Sequence, residues 1–196
     1  VKENYLTSLM DSAKTSKDSL VGSVSVDIQQ PDVINDGGVI INFWTAKYRS
    51  LNKGKSLSCL DNKSKKYIEV SALSGRGTLI PFKIFKMIGT YNYRKLPHYG
   101  ADYEFSIRAK NCGFPLILSY NAVVYSHADN TGLGNKNRPD LLKYFFNIKS
   151  PSNIFKRISF AFCITKNPFM MASYILFDLI RNISHYFKLV YFSLTK

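Results

Sequence analysis

Asp102 opens the run Asp102-Tyr103-Glu104-Phe105-Ser106-Ile107-Arg108-Ala109, which reads as a helix up to Asn111, closed by Cys112-Gly113 as a glycine C-cap. A carboxylate at the head of a helix is held in its charged form by the helix dipole. Facing a cleft, it can take the proton of an attacking hydroxyl; the same position also suits a plain N-cap. Upstream, Ser74-Gly75-Arg76-Gly77-Thr78 is a glycine-rich turn whose backbone can approach a ligand closely, with Arg76 placed to face a diphosphate. Glu104 contacts a ligand or serves the helix, and Arg108, four residues on, can pair with it on one helix face. His127, after the strand-like Ala122 to Tyr125, carries an imidazole that can ligate Mn²⁺, whereas Mg²⁺ prefers oxygen. Asp129 adds one more oxygen.

The elements that must position these groups follow from periodicity. Residues 4–18 place Tyr5, Leu6, Leu9, Met10 and Ala13 at amphipathic helical spacing. Val21 to Ile28 alternates as a strand, ended by Gln30-Pro31-Asp32. Val39 to Trp44 is a second strand candidate, Lys47 to Lys66 a polar loop, and Tyr67 to Leu73 a third strand leading into the glycine turn. Pro81 to Ile88 reads as a helix with Pro in its first turn, and Phe114 to Tyr125 as the last strand. The pattern is α/β.

In order and spacing, Ser74 to Thr78, Gly89-Thr90-Tyr91, Gly100 to Ala109 and Val123-Val124-Tyr125-Ser126-His127 resemble the acceptor half of a family 2 glycosyltransferase with the nucleotide-sugar GT-A fold. The resemblance spans residues 4–130. It implies an incomplete GT-A, Rossmann-like sheet with flanking helices over residues 1–129, followed by a C-terminal helical appendage over 130–196. It further implies inverting transfer of a sugar from a nucleotide-sugar donor to a saccharide or lipid-linked acceptor, in synthesis of a cell-surface polysaccharide or glycolipid. Asp102 matches the second acid of the family's Glu-Asp pair, the catalytic base; Ala101 stands where the family usually has Glu. Gly75, Arg76, Gly77, Thr78 and Glu104 fall at substrate-binding positions and His127 at a metal position. The implied cofactor is a divalent Mn²⁺ or Mg²⁺, its main ligands in a nucleotide-binding part upstream of Val1, so the chain is expected to be a fragment of the full enzyme.

Composition sets the remaining bounds. The 196 residues are 45% hydrophobic and carry a formal charge of +14, enough for a sizeable core and for attraction to an anionic partner. Cys59, Cys112 and Cys163 are too few and too scattered for a disulfide framework or a zinc site, which fits a reducing, cytoplasmic setting. Residues 130–196 hold ten Lys and Arg against two Asp, interleaved with aromatics, the composition of helices lying in a membrane interface. Their longest uncharged stretch, residues 167–177, is far short of a membrane span. The expected placement is peripheral, at the inner face of the cell membrane. Two other readings are a catalytically inactive remnant that docks to membrane or partner, and a basic nucleic-acid binder. Against the last, no helix-turn-helix, RRM or zinc-finger pattern is present, so nucleic acid is not an expected partner.

Overall fold

The computed structural model describes residues 4–61, 64–127 and 140–195, so Asp129 and the expected boundary at 129–130 lie outside the described residues. The chain divides into two units, one of Val1–Ile41, Tyr48–Tyr91 and Asp102–Ala128, the other of Asn42–Lys47, Asn92–Ala101 and Asp129–Lys196.

The first unit is α/β. Its mixed sheet is ordered β2-β1-β6-β5, from β1 (Leu20–Asp27), β2 (Gln30–Asp36), β5 (Tyr67–Glu69) and β6 (Leu116–Ser126). The central pair, β1 with β6, is parallel, while β2 and β5 flank it antiparallel. β1 is buried at every position but its last. Alternate residues therefore feed two cores. Leu20, Val24 and Val26 join Ile84, Phe105, Ala109 and Leu116 on one face. Val21 and Ile117 meet Leu9 of α1 (Tyr5–Thr15) on the other. Each fully buried side chain of this kind contributes about 1.5–3 kcal/mol of transfer free energy. Ser12 and Ser119, buried in the second core, satisfy each other at 2.8 Å. β6 bulges at 120–122, where the register with β1 jumps from Ser23↔Ser119 to Val24↔Val123.

α2 (Phe82–Ile88) and α3 (Ala101–Asn111) complete the unit. The expected glycine cap of α3 forms. Gly113 takes a φ of 91°, its N–H reaches Lys110, and the Phe114 N–H reaches back to Ala109, with Phe114 and Ala109 in the same core.

Two expectations differ from the structure. Gln30-Pro31-Asp32 does not end the first strand but begins β2, the turn being Ile28-Gln29. Pro31 is tolerated there because β2 is an edge strand, where a missing N–H leaves no ladder bond unmade. The Lys47–Lys66 loop contains β4 (Lys47–Ser50), paired with β3 (Val39–Asn42), and a 3₁₀ turn over Leu57–Leu60. β4 is exposed along its whole length, so it leaves no apolar alternation to read.

The second unit contains α4 (Leu141–Phe146), α5 (Ile154–Ile164) and α6 (Pro168–Leu194). Their N-caps are Asp140, Asn153 and Asn167, each accepting a backbone N–H from three residues on, and Pro168 opens α6. Residues 42–47 and 92–101 belong to this unit for a physical reason. Arg181 donates to the carbonyls of Thr45 and Ala46, Ser173 to that of Trp44, and Gly100 lies against the Phe160 ring.

Arg157 of α5 grips Asp178 of α6 through two hydrogen bonds of 2.5 and 2.6 Å, with the Asp178 side chain 5% exposed. No helix among the described residues is long and apolar enough to cross a membrane. Asp178→Ala strands the Arg157 charge, which retains the Pro151 carbonyl and partial solvent access. Urea denaturation should show a loss of roughly 2–4 kcal/mol, with Asp178→Asn losing less.

Candidate active site around Asp102

The glycine turn and the head of α3 are held together by two parallel hydrogen bonds. The Leu73 N–H donates to Ser106 Oγ at 3.0 Å and the Gly75 N–H to Asp102 Oδ2 at 2.8 Å. In extended chain, every second N–H points the same way. In a helix, residues four apart lie one above the other. Leu73 and Gly75 are thus matched to Ser106 and Asp102 by the geometry of the two elements. The Asp102 Oδ1 accepts the Tyr103 N–H at 2.9 Å. An ionised carboxylate offers about four lone-pair sites, so these two bonds leave acceptor capacity on a half-buried group whose contact with Gly75 is open to solvent.

The rest of the turn is fixed by its own packing. Gly77 has a φ of 67°, and a Cβ there would lie 2.1 Å from the Tyr5 hydroxyl and 2.8 Å from Val124. Its carbonyl accepts Ser23 Oγ at 2.5 Å, and Ser23 in turn meets Tyr5 at 2.8 Å. Thr78 Oγ1 closes the turn on the Ser74 carbonyl at 2.7 Å. Gly77 and Thr78 therefore shape the turn toward β1 and α1. Gly75, exposed beside Asp102, and Arg76 present its open side. Arg76 forms no ion pair among the described residues.

Glu104 is turned inward. Its side chain is 3% exposed and pairs with Arg108 at 2.8 and 3.2 Å, which gives it the structural one of its two candidate roles and removes it from any substrate surface. Arg108 carries the constraint onward, donating to the Ile88 carbonyl and, at 2.9 Å, to that of Thr90. The first of these carbonyls ends α2, the second lies just beyond it, and Tyr91 comes next. The buried pair thus sets the position of Tyr91, whose ring packs 4.6 Å from that of Phe105.

Two tyrosines that sequence reasoning passed over flank the carboxylate electrostatically. Burial, and then the Asp102 charge, push the Tyr91 hydroxyl above its ordinary range. Tyr103 is pushed further, chiefly by burial, then by Asp36, Asp102 and Tyr48, with Arg76 opposing. Both therefore stay neutral donors. Tyr103 stacks on Tyr48 at 6.4 Å and lines, with Ser23, Asp36 and Ser74, a narrow crevice that leaves no room for a water molecule. Neither Asp36 nor Tyr48 carries a local motif that would mark it; Tyr103 could have been flagged only as the neighbour of Asp102.

The chain matches no family model and no curated protein. The site's meaning therefore rests on its chemistry. A carboxylate bonded to a glycine turn that carries a cation, with two neutral phenols close enough to feel its charge, is an arrangement able to accept a proton from a hydroxyl and to face an anion.

His127 is exposed beyond the end of β6 and makes no part of this cluster. Among the described residues no three His, Cys, Asp or Glu side chains converge to hold a metal, and Asp129, the other expected ligand near His127, lies outside them. A second, wider depression of about 330 Å³, lined by Asp32, Ser56, Asp61, Tyr120 and Asn121, contains none of the expected site residues.

Two measurements test this description. Gly77→Ala should cost about 2 kcal/mol or more in urea unfolding, from the left-handed backbone and the crowded Cβ together. Because Tyr103 titrates higher folded than unfolded, its contribution to stability is complete below about pH 10 and is lost as pH rises toward its folded value. Tyr103→Phe should flatten that alkaline loss in unfolding curves taken between about pH 9 and 11.

Proposed function

We propose that this chain is the acceptor side of an inverting, family 2-like glycosyltransferase, with Asp102 as the base. The observation that carries the reading is the junction of Gly75 and Asp102, 27 residues apart and joined at 2.8 Å, which places a half-buried carboxylate on the open side of a glycine turn. In this reading the mixed α/β sheet is part of a GT-A, Rossmann-like arrangement.

The proposed step is a single displacement. The acceptor hydroxyl gives its proton to Asp102 as its oxygen forms a bond to the anomeric carbon of the donor. The bond from that carbon to the diphosphate breaks, and its electron pair leaves with the nucleoside diphosphate. Attack opposite the leaving group inverts the anomeric centre. The Gly75 and Tyr103 N–H groups orient the carboxylate for proton transfer. The neutral Tyr91 and Tyr103 are hydroxyl donors suited to a polyhydroxylated acceptor, and Arg76 suits the departing diphosphate.

The reading requires a nucleotide-binding segment in addition to the residues described above. A divalent cation would neutralise the leaving group, with His127 as one ligand and the main ligands in the nucleotide-binding segment. The acceptor is a saccharide or a lipid-linked saccharide, and the chemistry is placed peripherally at the inner face of the cell membrane.

The test is release of nucleoside diphosphate by the full-length protein from a panel of uridine, guanosine and thymidine diphosphosugars. One donor class should turn over, and Asp102→Asn should slow it by ~100- to 10,000-fold while leaving donor affinity nearly unchanged. Undiminished turnover in Asp102→Asn, or no turnover with any donor, would sink the reading.

A further inference from the structure

α6 is arranged inside out. Its buried positions fall on one stripe, Tyr174, Asp178 and Asn182, spaced four apart, and two of the three are polar. Asp178 is committed to Arg157, and Asn182 donates to the Ser152 carbonyl at 2.9 Å. The opposite stripe, Phe169, Leu176, Ile180, Ile183, Phe187 and Tyr191, is exposed along the helix, with Phe169 at 81% and Phe187 at 64%. At 100° per residue these six side chains fall within one narrow sector of a helix about 40 Å long. A helix that packs by polar contacts and presents its apolar side outward has its usual orientation reversed. A contiguous apolar surface of this length is more than a monomer leaves to water. Phe146 of α4 and Phe155 of α5, also exposed and 6.0 Å apart, add a second apolar patch to the same unit.

Charge selects the occupant. Between Asp140 and Thr195 there are seven Lys and Arg against two acids, Asp140, which caps α4, and Asp178, buried in its ion pair. The outward surface of α5 and α6 therefore carries no carboxylate among the described residues. A second copy of the same basic surface would meet it with like charge. A bilayer rich in anionic headgroups supplies both the apolar layer that the stripe lacks and the opposite charge.

We infer that α6 lies parallel to an anionic membrane surface with the Phe169–Tyr191 stripe immersed at the boundary of headgroups and acyl chains. The Tyr174–Asp178–Asn182 stripe faces the protein. This deepens the peripheral placement proposed above and rests on it, but it uses none of the Asp102 chemistry. A helix so placed is bound by buried apolar area together with attraction to anionic lipid.

The experiment is sedimentation of the full-length protein with vesicles of phosphatidylcholine alone and of phosphatidylcholine with about one third phosphatidylglycerol, at low and physiological salt. Binding should favour the anionic vesicles and weaken with salt. Ile180→Ser with Phe187→Ser should weaken binding on the order of tenfold or more. Both residues are exposed, so the far-ultraviolet circular dichroism and thermal midpoint should stay unchanged. Undiminished vesicle binding by the folded double variant would overturn the inference. So would an absence of vesicle binding, or a dimer in sedimentation velocity that the same two substitutions dissolve, since a second copy would then cover the stripe. Nucleoside diphosphate release toward a soluble acceptor tests the Asp102 chemistry separately, so either result can fail without the other.

Discussion

The parallel pairing of β1 with β6 is the constraint on which the first unit depends. A strand buried on both faces must supply apolar or internally satisfied side chains at every position, and β1 does so with Leu20, Val21, Val24 and Val26 and with Ser23 and Ser25. The serines are more than fillers. Ser23 holds the Gly77 carbonyl and Ser25 meets Ser126 at 3.0 Å, so the strand fixes both the glycine turn and the end of its neighbour. With β1 in place, one core defines where α1 sits and the other where α2 and α3 sit.

Asp102 inherits its position from that arrangement. Ser106 and Asp102, one helical turn apart, meet Leu73 and Gly75 of the segment that follows β5. Glu104 and Arg108, on the inner side of the same helix, lock the carbonyls before Tyr91. One helix therefore carries three separate ties. A carboxylate held by two backbone N–H groups, between phenols kept neutral by burial and by its own charge, is organised in advance for accepting a proton. Organisation of this kind, rather than any unusual residue, is what makes the cluster a candidate for catalysis.

The second unit solves a different problem. Its helices bury Phe145, Phe160, Ile164 and Tyr174, and α6 is further tied by the Arg157–Asp178 pair to α5 and by Asn182 to the Ser152 carbonyl just before it. A buried ion pair is weak support for stability, because desolvation offsets much of its attraction. What it provides is register, since only one rotation of α6 satisfies both polar contacts. That rotation is also the one that turns the aromatic stripe outward.

Much was legible in the chain itself. The α/β class, the strand at 20–27, the helix beginning near Asp102 and its closure at Gly113 followed from short-range rules of periodicity, capping and left-handed glycine, which operate over a few residues. β2 was hidden because Pro31 imitates a turn, and β4 because an exposed strand has no apolar alternation. Tyr91 could not be brought to Asp102 from sequence, nor Asp36 and Tyr48 to its neighbour Tyr103, since these approaches arise from packing of segments apart in the chain. For Glu104 the sequence favoured helix support over ligand contact, and its burial against Arg108 agrees. For α6 the sequence determined an amphipathic helix, and tertiary structure decided which side faces inward. Periodicity reports only that two unlike faces exist. Which one is buried depends on the partners available, and here Arg157 and Ser152 made the polar face the inner one.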